Sequence, residues 1–120
     1  MALILAALLG AFLCLIGAAM IWAPGNAVQA FGIDPSHLAA NTDLMPALGA
    51  RDISLGLIVL TLAVGRQARA AGFALLALSL VPLADYVIAA KSLGWTAAAR
   101  HLIGFPVTLI LGLILARRPT

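Results

Sequence analysis

Charge is what this sequence has least of. Seven basic and four acidic residues make up 9% of the 120 residues, against about 25% in an ordinary soluble domain. A water-soluble fold of this length could not cover its core with so few charges. Cysteine is nearly absent as well: Cys14 stands alone, which excludes disulfide scaffolds, zinc fingers and cysteine-bound clusters. No phosphate-binding glycine loop, metal-ligand spacing or Ser/His/Asp signature is present, so neither cofactor, metal nor ATP use is expected of this chain. The net charge of +3 and pI near 10.0 do not point to nucleic acid, because four of the seven basic residues flank apolar runs.

What is there is apolar. The hydrophobic set reaches 64% and the mean hydropathy is +1.15. That excludes disorder and indicates an integral membrane protein. Four stretches approach the roughly 20 apolar residues that a spanning helix needs: residues 2–22, 44–65, 70–90 and 99–116. They predict an all-α, up-down four-helix membrane bundle occupying the whole chain as one domain. No basic segment precedes the first run, which is also long for a signal-peptide core, so it reads as a true span. The connection at residues 66–69 forces an antiparallel hairpin. The longest connection, residues 23–43, contains Asp34-Pro35-Ser36-His37, an N-cap followed by proline that favours a short helix or interfacial segment. Asn41-Thr42-Asp43 reads as the cap of the second span, with Pro46 in its first turn.

Orientation follows from the basic residues. Arg66, Arg69, Arg117 and Arg118 fall on one side; Lys91 and Arg100 fall on the other, with Asp34 and Asp43. The excess predicts both termini inside and the long loop outside.

Charges within the spans identify the candidate site. Arg51 and Asp52 lie in the second span, Asp85 and Tyr86 in the third, and Arg100 and His101 open the fourth. At 1.5 Å per residue, Arg51 and Asp52 sit about 11–12 Å from the outer end of their helix, and Asp85 about 8 Å from the same level. Three helices therefore bring Arg51, Asp52, Asp85, Tyr86 and His101 to one layer of the outer half. Ionised side chains in a membrane are expensive, so they pair, face the bundle interior or line a wet cavity. Arg51 and Asp52 point about 100° apart on a helix; that spacing leaves Arg51 to reach toward Asp85. Pro82 should kink the third span beside Asp85. With His101 neutral, one arginine against two aspartates leaves the cluster at −1, so one further proton belongs on a carboxyl or on His101. A carboxylate beside a carboxylic acid is a general base beside a general acid. The bland reading of the same residues is an ion-pair network locking the second helix to the third. His101 then reads as interfacial, Tyr86, Trp22 and Trp95 as belt aromatics, and Cys14 as packing. Two stripes of small residues, one of them containing Gly49 and Gly56 and the other Gly104, Thr108 and Gly112, would permit close helix approach and a homodimer.

The run Gly49-Ala50-Arg51-Asp52-Ile53-Ser54-Leu55-Gly56, with Val81-Pro82-Leu83-Ala84-Asp85 and Arg100-His101, resembles a family of small four-helix membrane proteins catalogued as a domain of unknown function. The pattern is also similar to membrane-bound epoxide hydrolases and cyclases of fungal polyketide and terpenoid pathways. An Asp–Arg–Asp set is used, on an unrelated fold, by hydrolases of the limonene-epoxide type. These resemblances imply acid–base opening of an apolar epoxide, with Asp52 and Asp85 as the catalytic pair and Arg51 organising them. His101 and Tyr86 would orient substrate or water, and the 23–43 segment would act as a lid. The expected partners are an apolar small molecule and membrane lipid. Two alternatives use the same residues. The length and helix number resemble the small multidrug exporters, but those carry their essential carboxylate in the first helix and this first span has none; a proton-coupled carrier would use Asp52 and Asp85 instead. A non-catalytic membrane subunit would use the polar layer only to fasten helices.

Overall fold

A computed structural model describes residues 1–32, 36 and 38–119, without the side chains of residues 38–40. The Asp34-Pro35-Ser36-His37 motif lies largely outside the described residues.

Ala2–Trp22 forms one uninterrupted helix, α1, with the boundaries that its apolar run predicts. Pro24 opens α2 (Pro24–Phe31) at the first helical position, where its missing N–H costs nothing. Gly32 ends α2 at φ 90°, donating to the carbonyls of Val28 and Gln29. Leu93 packs so closely on Gly32 that a Cβ there would collide with it. The long connection thus holds a short helix, α2, upstream of the aspartate-proline motif, and the one expected at that motif falls outside the described residues.

The next helix, α3, spans Leu38–Val64 with Pro46 in its interior. It begins six residues before the expected Leu44, so Asn41-Thr42-Asp43 lies inside the helix rather than capping it. The third span is divided into α4 (Ala68–Leu78) and α5 (Leu80–Leu93) at Ser79. The cause is Pro82, whose ring conflicts with the carbonyl four residues earlier. The Ser79 hydroxyl donates to the Leu76 carbonyl at 2.7 Å inside this break. Gly94, at φ 81°, turns the chain into α6 (Trp95–Ala98). A 3-10 turn over Ala99–Ile103 follows, then α7 (Gly104–Ala116). Pro106 removes the hydrogen bond that would continue α-geometry back to Leu102, consistent with the tighter winding before α7.

Among the described residues no strand is present, and four stretches are long and apolar enough to cross a membrane: Ala2–Trp22, Asn41–Val64, Ala68–Leu93 and Trp95–Ala116. At 1.5 Å per residue they are about 31–39 Å long, enough for a hydrocarbon core of about 30 Å. Large apolar side chains such as Leu8, Leu15, Ile58, Phe73, Leu80 and Ile110 point outward along the bundle, as a lipid-facing surface requires.

Glycines decide how the helices pair. Gly10 and Gly17 of α1 face Gly56 and Gly49 of α3. A Cβ on Gly10 would lie 2.7 Å from the Gly56 carbonyl oxygen, and one on Gly49 would lie 2.5 Å from that of Gly17. Gly72 of α4 meets Gly112 and Ala116 of α7 as closely. Gly49, Gly56 and Gly112 of the small-residue stripes thus serve helix contacts inside the chain. The two pairs join in a dry core at the end holding the N-terminus, built from Ala2, Ala6, Val59, Ala63, Ala71, Leu75, Leu78, Leu111 and Leu115. Toward the other end the pairs separate, and a smaller cluster of Ala89, Ala90 and Ala98 packs with Phe31, Tyr86 and Leu93.

Candidate functional site

The separation leaves a cavity of about 670 Å³, within the range of small-molecule sites. One wall is α1, through Leu9, Phe12, Leu13, Ile16 and Met20. The end away from the N-terminus is α2, through Asn26, Ala27, Ala30 and Phe31. The opposite wall combines Leu78, Val81, Pro82 and Asp85 with His101, Gly104 and Thr108; Asp52 reaches in from α3. The lining is overwhelmingly apolar, with its ionisable groups, Asp52, Asp85 and His101, brought from three spans to one space. That is the layer expected from helix depth.

Asp52 is 6% exposed. Its Oδ1 receives Arg51 Nε at 2.9 Å and Arg51 Nη2 at 2.8 Å. Arg51 thus turns back onto its sequence neighbour instead of reaching across to Asp85. The 100° offset concerns Cβ directions, and the long arginine side chain swings through it. Because this ion pair lies within α3, it does not fasten one helix to another, as the structural reading of these charges requires. Asp52 Oδ2 carries no hydrogen bond among the described residues, and no side-chain polar atom among them is both buried and unpartnered. Oδ2 is therefore not sealed off, and Asp52 lines the cavity.

Asp85 is partly buried and has no hydrogen-bond or ion-pair partner among the described residues. Its electrostatic neighbours are Arg51, Asp52 and His101. Tyr86 is not part of the cavity wall. With Asp85 turned inward, the next residue points about 100° away, and the Tyr86 ring packs on Trp95 at 5.5 Å between centroids. The substrate-binding role expected for Tyr86 is therefore not supported by its position. Arg51 likewise touches the site only through Asp52.

His101 has two connections. Its Nε2 lies 3.0 Å from the Phe31 carbonyl oxygen, and its ring packs on that of Phe31 at 4.7 Å between centroids, tilted by 45°. A carbonyl only accepts, so Nε2 carries the proton and a neutral ring keeps Nδ1 as an acceptor. Arg100 Nη2 donates to the Ala30 carbonyl at 2.9 Å. Arg100 and His101 together engage the last two carbonyls of α2, those of Ala30 and Phe31, as side chains do at helix ends, and so hold that helix over the cavity. Sequence reasoning missed this clamp and the α1 wall, since neither is visible until α1 and α2 are placed. The signal available was the seven-residue spacing of Gly10 and Gly17, which matches that of Gly49 and Gly56. Among the described residues no three His, Cys, Asp or Glu side chains assemble as a metal site.

A family model for a domain of unknown function, DUF4267, matches residues 10–115. The chain belongs to the DUF4267 family. No curated protein and no solved structure matches it. The matched region of this DUF4267 protein contains all three glycine pairs, both prolines of the divided spans and every polar group of the cavity.

Proposed function

We propose that this DUF4267 protein is a membrane enzyme that takes an apolar small molecule into the cavity and opens it by acid–base chemistry, with an epoxide as the best-fitting substrate. The observation carrying this reading is the asymmetry of the two carboxylates. Both line one apolar cavity, yet among the described residues only Asp52 is ion-paired with an arginine. Asp52 is the base, with Arg51 fixing Oδ1 and leaving Oδ2 to accept a proton. Asp85 is the acid. A water, or a hydroxyl of the substrate itself, gives its proton to Asp52 while its oxygen bonds to an epoxide carbon. The epoxide C–O bond breaks, its electron pair stays on oxygen, and that oxygen takes the proton of Asp85. Attack by water yields a diol; attack by an internal hydroxyl yields a cyclic ether bearing a new hydroxyl. One proton then returns from Asp52 to Asp85. His101 Nδ1 is a further acceptor for substrate or water. In this reading α2 is the cover of the site, and Arg66, Arg69, Arg117 and Arg118 face the cytoplasm with both termini.

The test is turnover of apolar epoxides, with and without an attached hydroxyl, by detergent-purified protein. Wild type is compared with Asp52→Asn and Asp85→Asn. Removing a positioned acid or base typically costs about 10²–10⁴-fold in rate, so both variants should lose product while unfolding at the wild-type denaturant fraction. Product from both variants at the wild-type rate refutes the assignment. Substrate recovered unchanged but moved across a vesicle membrane, dependent on a proton gradient, would make the protein a carrier.

A further inference from the structure

The bundle end opposite the cavity carries Arg66 and Arg69 at the turn from α3 to α4. Arg117 and Arg118 follow α7 on the same side, because Gly72 packs against Ala116. The chain's acidic side chains are Asp34, Asp43, Asp52 and Asp85, and none of those described lies at this end. Helix α3 stops there in a Schellman arrangement: Gln67 N–H donates to Leu62 O at 2.9 Å and Arg66 N–H to Ala63 O at 3.1 Å. The left-handed position of that motif usually belongs to glycine. Here it holds Arg66, at φ 59°, the single non-glycine with positive φ among the described residues; Gly65 stands one place too early to take it. A side chain there is strained. The guanidinium makes no hydrogen bond or ion pair with any described residue, so no internal contact offsets that strain.

Arg66 borders an apolar groove of about 440 Å³ between α1 and α3, walled by Leu3, Ile4, Ala7, Ala63 and Val64. Ile4 and Val64 are 60% and 71% exposed. The groove thus runs along the outside of two membrane-crossing helices and ends at a cation at the membrane edge. Its aliphatic walls match an acyl chain, and a guanidinium matches a phosphate through paired N–H donors. A zwitterionic headgroup brings its own cation, and this end has no acidic side chain among the described residues to receive it.

We propose that this groove binds an anionic phospholipid, with an acyl chain against Leu3, Ile4, Ala7 and Val64 and the phosphate on Arg66. The site is separate from the cavity and independent of the chemistry proposed there.

The test is native mass spectrometry of the full chain in mild detergent with equal amounts of phosphatidylglycerol and phosphatidylcholine. Wild type should retain the anionic lipid about fivefold over the zwitterionic one, the preference expected for one arginine near a membrane surface. Arg66→Gly removes the guanidinium together with the backbone strain, so it should fold at least as stably and lose the preference. Ala7→Phe fills the groove while keeping the arginine and should lower retention of both lipids. Arg69→Gln changes an arginine that lies over Phe73, 5.9 Å from its ring centroid, outside the groove, and should behave as wild type. Retention of the preference by Arg66→Gly, or an equal loss in Arg69→Gln, overturns the proposal, because the attraction would then be a diffuse property of the basic end.

Discussion

Gly56→Ala should separate α1 from α3, and the structure sets the size of the effect. The new Cβ would sit 2.5 Å from the Gly10 carbonyl oxygen, 2.8 Å from Cys14 Sγ and 3.0 Å from the Cys14 nitrogen, where ordinary contact begins near 3.4 Å. Two of these three neighbours are backbone, so no side-chain rotation relieves the clash and the helices must part by most of an ångström. A radial gap of about 0.5–1 Å forfeits a quarter to a half of the dispersion attraction of the atoms involved. Overpacking of this kind costs about 1–3 kcal/mol. In lipid the loss weighs more heavily, because helix association there rests on packing rather than on expelling water. Unfolding in an SDS titration, followed by far-ultraviolet circular dichroism, should therefore shift to lower SDS fraction. Gly10→Ala should do the same, since the two residues face each other. The double variant should be less damaging than the two single effects added together, because helices already parted for one methyl accommodate the second. An unchanged midpoint for Gly56→Ala would refute the reasoning. So would strict additivity, since it would mean that the two glycines do not share one contact.

Three further outcomes test other parts of the structure. Gly25→Ala lies in α2 with nothing within 4 Å of the added Cβ; it should raise stability by about 0.5–1 kcal/mol, and a fall in the same SDS titration would contradict that geometry. Arg100→Gln removes an exposed charge-assisted bond to Ala30 and should weaken the seating of α2 by about 0.5–1 kcal/mol. Hydrogen exchange should then accelerate about threefold at the amides of residues 27–32, and unchanged protection would show that Arg100 does not hold this helix. Under the proposed reaction Tyr86→Phe should leave turnover within about twofold, since Tyr86 does not line the cavity and changes away from a site have small effects; a loss as large as that of Asp85→Asn would return Tyr86 to the site.

Hydropathy made the spans legible because the length of an apolar run nearly suffices to define a membrane helix. Residues 2–22 match α1 at both ends, and Pro82 marked the division that falls at Ser79. Local chemistry misled at the start of α3, where Asn41-Thr42-Asp43 before Pro46 has the form of a cap but a longer helix runs through it. The shared level of Asp52, Asp85 and His101 was readable from residue counts along each helix, because helix rise is nearly constant. Pairing was not. Which way Arg51 turns depends on the reach of its side chain, and the clamp of Arg100 and His101 on α2 joins residues 70 positions apart. Tyr86 illustrates the same limit: adjacency to Asp85 placed it at the right depth but on a different face.

The cavity follows from an unequal distribution of helix-pairing devices. Helices α1 and α3 are held at two levels, Gly10 against Gly56 and Gly17 against Gly49, so this pair stays closed along most of its length. Helices α4 and α7 are held where Gly72 meets Gly112 and Ala116, near the end with the dry core. Beyond that level Ser79, Pro82 and Pro106 interrupt both spans, and Gly104 faces Pro82 at an ordinary 3.4 Å instead of interlocking with backbone. One wall is therefore a rigid two-helix unit carrying Asp52 with its arginine. The other is broken into short segments carrying Asp85 and His101. Prolines in membrane helices are tolerated where neighbours re-satisfy the freed backbone groups, and here they stand beside the two ionisable groups that have no cationic partner. In the proposed reaction such a site would hold Asp52, the base, in place and let Asp85, the acid, adjust to the oxygen of the bound molecule.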